Sequence, residues 1–346
     1  MVKVGDHITL DFLGVKKEYS AQFYEDIIHK IAKAAKVGIV NISKYEFTPQ
    51  GLTMIALLKE SHMSFHTFPE NGIISFDFFT CGQVNPNISL EILKKEIQHT
   101  NVVKKEFPRD TIHHYPDVYS SEGLKKSYVV EEFIKSFKSK QGQFIEIVKL
   151  REFGNALFID NELQVAERDE ALYSSTFVNS SLKISTSNSS AAIIGGGDGG
   201  VARECIKNGF NYVDWFELDQ EVVEACQKYL PEVFKNINKS NNVNCIWGDA
   251  FQNIISCENE KYDHLFIDLN DDPYCINLAE KNMKEIKRIV KRNGVITAQV
   301  GSQNKKPKQV EAWINTLKEH FGNTKISEVF IPSFDCNWNF VSSLNK

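Results

Sequence analysis

Carboxylates close a series of apolar runs in the second half of this 346-residue chain. Asp198 lies inside Gly195-Gly196-Gly197-Asp198-Gly199-Gly200, and Glu217 follows 19 residues later. Asp249 and Asp268 follow two further runs, with Asp271 close behind. Acids gathered at one crevice repel one another unless something positive fills it. A glycine turn between strand and helix, with an acid ending the next strand, is a pattern that grips the hydroxyls of an adenosine ribose. Asp198 would repel a pyrophosphate, so NAD fits poorly. An adenosyl sulfonium beside a polyamine fits the charge.

Positioning these acids requires parallel strands, whose carboxyl ends form the ligand crevice. Residues 191–194, 212–217, 243–247, 262–268 and 294–299 read as strands alternating with helical patterns, the first helix over 201–207. The expected class is α/β, with a doubly wound, Rossmann-like sheet of the methyltransferase type. Segments 326–331 and 338–342 read as a closing hairpin at its edge. Upstream, 8–13, 53–58, 62–68 and 73–79 read as strands, and 21–34 and 90–97 as helices, giving an α+β sandwich with helices on one face. Residues 107–141 are polar and read as a connector; 143–159 is strand-like and broken at Phe153-Gly154-Asn155. The expected domains are 1–110, a small β connector at 111–165, and 166–346.

The net charge of −5 speaks against nucleic acid as a partner. Seven cysteines show neither a CxxC pair nor metal spacing, which suits a reducing cytoplasm. No apolar run approaches the ~20 residues of a membrane span. A plainer reading makes Asp219, Asp249 and Asp272 helix caps; it serves each singly better than the whole set.

The ordered series Gln143, Phe153-Gly154-Asn155, Glu167-Arg168-Asp169-Glu170, Tyr173, the glycine loop, Glu217, Gly248-Asp249-Ala250 and Tyr262-Asp263 to Asp268 resembles the spermidine and spermine synthases. The resemblance spans roughly residues 120 to 346. It implies an amine attacking the methylene beside the sulfonium of decarboxylated S-adenosylmethionine, with methylthioadenosine leaving and no cofactor. The amine, with a pKa near ~10, arrives protonated, so a carboxylate must take its proton. By resemblance that base is Asp268, helped by Asp198, with Tyr173 positioning the amine. Glu217 would hold the ribose, Asp249 beside Ala250 the adenine, and Gln143 the nucleoside. Asp271 and Phe334 would complete the substrate site. Asp268-Leu269-Asn270-Asp271-Asp272-Pro273 is one residue longer than in spermidine synthases, which favours spermidine over putrescine as acceptor. Against this, Phe334 and Cys336 stand where spermine synthases carry a Tyr and an acid.

Residues 5 to 105 resemble the bacterial-type S-adenosylmethionine decarboxylases, through Glu60-Ser61-His62, His66-Thr67-Phe68-Pro69-Glu70 and Phe79-Thr80-Cys81-Gly82. The resemblance implies cleavage between Glu60 and Ser61, with Ser61 becoming a pyruvoyl group, the electron sink for decarboxylation. His66 would assist the elimination and Cys81 return a proton. Thr53 replaces the usual Ser. The chain would then be a decarboxylase joined to a putrescine-using synthase, or a spermine synthase whose front domain serves for dimerisation. A homodimer is expected by resemblance. A methyltransferase and a non-catalytic polyamine or nucleoside sensor are the competing classes.

Overall fold

The computed structural model describes residues 3–82, 84–118, 120, 123–270 and 273–346. The expected site residue Asp271 and the expected cap Asp272 lie outside the described residues. The chain divides into two compact units, Met1–Ile112 and His113–Lys346.

The front unit contains β1 (Lys3–Leu13), α1 (Ala21–Ala35), β2 (Ile39–Glu46), β3 (Leu52–Leu58), β4 (Ser61–Phe68), β5 (Ile73–Thr80), α2 (Ile88–Glu96) and β6 (Asn101–Asp110). The strands form one antiparallel sheet in the order β2-β3-β4-β5-β1-β6. Period-two alternation sends Ile8, Leu10, Phe12, Met54, Phe65, Phe76 and Phe78 inward against Ile27, Ile28 and Ile31 of α1. Tyr24 is buried on that helix face, while its neighbour Phe23 is only partly covered. Strands β2 and β6 are additions to the sequence reading.

The rear unit begins with β7 (His113–Pro116), β8 (Ser127–Lys138), β9 (Phe144–Leu150), β10 (Gly154–Ile159) and β11 (Glu162–Ala166), a second antiparallel sheet in the order β11-β10-β9-β8-β7. Much of the expected polar connector is therefore paired strand. Next come α3 (Glu170–Leu182), β12 (Ser190–Gly195), α4 (Gly200–Lys207), β13 (Tyr212–Glu217), α5 (Gln220–Tyr229), β14 (Val243–Trp247), α6 (Ala250–Asn253) and β15 (Tyr262–Asp268). The chain ends with α7 (Pro273–Lys281), α8 (Met283–Ile289), β16 (Val290–Gly301), α9 (Pro307–Phe321), β17 (Thr324–Ile331) and β18 (Cys336–Leu344).

The large sheet runs β14-β13-β12-β15-β16-β18-β17, with its first five strands parallel and the closing hairpin at one edge. One face (Ile193, Val213, Trp215, Phe266) clusters with α3 and with Ile145, Ile147 and Leu157 of the smaller sheet. The other face (Ile194, Phe216, Leu265, Ile267) clusters with α7, α8 and α9 through Ile276, Met283, Ile286 and Trp313. A parallel sheet covered on both faces points its strand ends at a crevice.

Candidate active site

The glycine loop leaves β12 and opens α4 between two acids. Gly196 has φ +69°, and a Cβ there would lie 3.0 Å from Asp268 Oδ2. A Cβ on Gly197 would lie 3.3 Å from Glu217 Oε2. Side chains at either position would push the carboxylates away, so the loop is glycine because acids close on it from both sides. Its Gly196 N–H donates to the Asp268 carbonyl (2.9 Å), and the Gly200 N–H donates to Asp198 Oδ1 (2.6 Å).

Tyr173, Asp198, Asp268 and Phe334 line one cleft. The Tyr173 hydroxyl donates to Asp268 Oδ1 at 2.6 Å, which orients the carboxylate. Burial, then the charges of Asp268 and Glu170, hold the Asp198 carboxyl well above the usual carboxylate range. A cation arriving in the cleft relieves that repulsion.

Glu217 is buried at the end of β13, and burial pushes its carboxyl up to about 7. Its Oε1 accepts the Asp219 N–H at 2.9 Å. The Gly248 N–H donates to the Glu217 carbonyl (2.9 Å), which sets Asp249 and Ala250 beside it. Asp249 does cap α6, accepting the Phe251 N–H (2.8 Å), and Asp219 caps α5, accepting the Glu221 N–H (3.0 Å). The cap reading thus holds for both, while Asp198, Glu217 and Asp268 are held otherwise. Gln143 stands at the β8–β9 turn, its carbonyl accepting the Ser139 N–H (2.8 Å).

The acidic run after β11 is scaffold. Glu170 is buried and paired in a fork with Arg203, while Asp169 accepts the Ser333 N–H at 2.6 Å and so fixes the loop carrying Phe334. Tyr128 donates to the Ser333 carbonyl (2.9 Å), Lys305 to that of Phe334 (2.7 Å), and Lys126 pairs with Asp335.

The sequence reading missed Glu162, Gln164, Gln299 and Trp338, all in the cleft wall. Trp338 Nε1 donates to Gln299 Oε1 at 3.1 Å, and the Phe334 ring meets Trp338 tilted, with centroids 4.8 Å apart. Glu162 and Gln164 are polar residues in a strand, and their type alone does not tell which way they face.

In the front unit, the Glu60 carbonyl accepts the Cys81 N–H and the Cys81 thiol, both at 3.0 Å. Ser61 has φ 150°, an uncommon value for a residue with a Cβ. Two donors on one carbonyl, next to a hydroxyl on a strained residue, are suited to acyl transfer from Glu60 to Ser61. His66 is not brought to them. It lies on the same strand, β4, five residues from Ser61, so it faces the other way and sits about 16 Å along the strand. Its Nδ1 meets Thr53 Oγ1 at 3.0 Å instead.

Residues 170–346 match the model of the spermine/spermidine synthase domain. The chain belongs to that family. Residues 6–110 match the S-adenosylmethionine decarboxylase model, so this aminopropyltransferase carries a decarboxylase-family domain in front. It is 30% identical over 215 residues to a polyamine aminopropyltransferase of Korarchaeum cryptofilum, a match covering 61% of this chain and 66% of the relative. With the Thermoplasma volcanium polyamine aminopropyltransferase it shares 30% identity over 224 residues, 64% of this chain and 81% of the relative. A solved spermidine synthase in complex with the transition-state analogue AdoDATO superposes with a TM-score of 0.63 at 20% identity, covering 68% of this chain and 82% of that one. The spermidine synthase from Thermotoga maritima gives 0.61 at 20%, covering 68% and 80%. These likenesses fix the fold of the rear unit.

Proposed function

We propose that the rear unit transfers the aminopropyl group of decarboxylated S-adenosylmethionine to spermidine, releasing methylthioadenosine and spermine. The observation that carries this reading is the Asp268 carboxylate, oriented by the Tyr173 hydroxyl at 2.6 Å and set beside the charge-starved Asp198. Glu217 binds the ribose, Asp249 with Ala250 the adenine edge, and Gln143 the outer side of the nucleoside. With the donor's sulfonium carbon fixed there, Asp268 Oδ2 takes the proton of the incoming amine while Oδ1 stays on Tyr173. Asp198 balances the cationic charge of the bound pair, and Phe334 closes the amine side.

The front unit has the groups for self-cleavage at Glu60/Ser61. A pyruvoyl group derived from Ser61 would supply an electron sink for decarboxylation. Cys81 would polarise the Glu60 carbonyl and later hold a proton at Sγ. Because His66 lies far from Ser61 along its own strand, a homodimer in which a second copy supplies His66 is the arrangement that completes this site. The alternative reading, a bifunctional decarboxylase and putrescine-using synthase, is favoured by that same Glu60–Cys81 geometry.

The deciding assay supplies decarboxylated S-adenosylmethionine with spermidine or with putrescine and identifies the product. Spermine formation is expected, with Asp268→Asn lowering kcat by ~10²–10⁴ while methylthioadenosine still binds. Product from putrescine alone would replace the acceptor, and full activity in Asp268→Asn would remove the base. Intact mass of the purified protein tests cleavage at Glu60/Ser61: two fragments support it, and one uncut chain refutes it.

A further inference from the structure

We propose that Glu162 anchors a non-reacting ammonium of the acceptor, so that the cleft selects an amine with at least two cationic nitrogens. The inference rests on the transfer reading above and adds the residue that reads the acceptor's far charge. Glu162 begins β11 and is paired opposite Ile159 of β10, while Val165 is paired opposite Leu157. Partners in an antiparallel pair present their side chains on one face. Leu157 and Ile159 line the cleft, so Glu162 stands on the cleft face with them, and it is itself part of the wall. Between the two pairs the register shifts by one residue, leaving Gln164 as the extra residue of a bulge. Bulges re-aim side chains beside sites. The Gln164 amide turns back to donate to the Glu162 carbonyl at 3.2 Å, tying the start of the strand.

The charges divide accordingly. Asp198 and Asp268 serve the sulfonium donor and the reacting nitrogen, which must be neutral to attack. Any ammonium farther along the acceptor needs another carboxylate. In the closing loop Asp335 is exposed and paired with Lys126, away from the cleft lining. Glu162 is partly buried and on the hairpin over the same cleft, whose other wall is the Phe334–Trp338 pair. Aromatic rings pack on the methylenes of a polyamine and favour its cationic nitrogens.

The test compares wild type, Glu162→Gln and Glu162→Asp with spermidine and with n-butylamine, a monoamine without a second charge, at saturating donor. Glu162→Gln is expected to raise the spermidine KM on the order of 10-fold to 100-fold with kcat little changed. Its kcat/KM for n-butylamine and its Kd for methylthioadenosine should match wild type, and Glu162→Asp should recover part of the spermidine loss. An unchanged spermidine KM, an equal loss with n-butylamine, or loss of methylthioadenosine binding would each overturn the assignment. Failure of the underlying transfer reading looks different, since wild type would then form no product with spermidine or putrescine.

Discussion

Glu217→Gln separates a buried carboxylate's binding role from its cost to the fold. The amide keeps an oxygen to accept the Asp219 N–H, which now lies 2.9 Å from Oε1, and removes the titration. In the native protein the carboxyl titrates at about 7, against an ordinary 4.5. The folded state therefore holds a proton that the unfolded chain releases between those two values, so stability falls as pH rises from 4.5 to 7. Each pH unit is worth ~1.4 kcal/mol, which places the full penalty at about 3 kcal/mol above pH 7. Glu217→Gln should match wild type near pH 4.5 and exceed it progressively, by up to about 3 kcal/mol at pH 8. All four tryptophans (Trp215, Trp247, Trp313 and Trp338) belong to the rear unit, so tryptophan fluorescence during urea unfolding reads the relevant transition. If Glu217 holds the ribose as proposed, the same variant should weaken methylthioadenosine binding ~10-fold to 100-fold at pH 8, where the wild-type carboxylate is ionised and would accept both ribose hydroxyls. Stability curves that run parallel from pH 5 to pH 8 would refute the argument.

Gly196→Ala places a Cβ 3.0 Å from Asp268 Oδ2 on a backbone with φ +69°, so it should cut kcat about 10²-fold by displacing the base; steady-state kinetics at saturating substrates checks this, and wild-type turnover would contradict the packing described. Arg203→Met leaves the buried Glu170 carboxylate without its fork and should destabilise the rear unit by about 3 kcal/mol in the same urea assay. A loss below about 1 kcal/mol would mean that Ser174 and solvent suffice for Glu170.

What the amino-acid order disclosed follows from how each element is buried. The inner strands β12, β13 and β15 are apolar runs ending in an acid or a glycine, so the loop, Glu217 and Asp268 were legible together. Strands β2 and β6 are the two edges of the front sheet, and the burial of β2 follows no period-two pattern, so neither announced itself. Strand β8 is largely exposed, and its polar composition read as a connector. Glu162 and Gln164 were hidden for another reason: their direction depends on a one-residue register shift against β10, a pairing between strands that no local pattern encodes. The strand read over 62–68 begins one residue earlier, at Ser61, so Ser61 and His66 share it and stand about 16 Å apart.

Asp169 ties two distant stretches of the rear unit together. It is the residue before α3, whose second turn carries Tyr173, and its Oδ2 receives the Ser333 N–H at the lip that bears Phe334. The hydroxyl that donates to Asp268 and the Phe334 ring in the cleft wall are thus pinned to one point of the chain. Removing that single carboxylate would therefore slacken both sides of the cleft together.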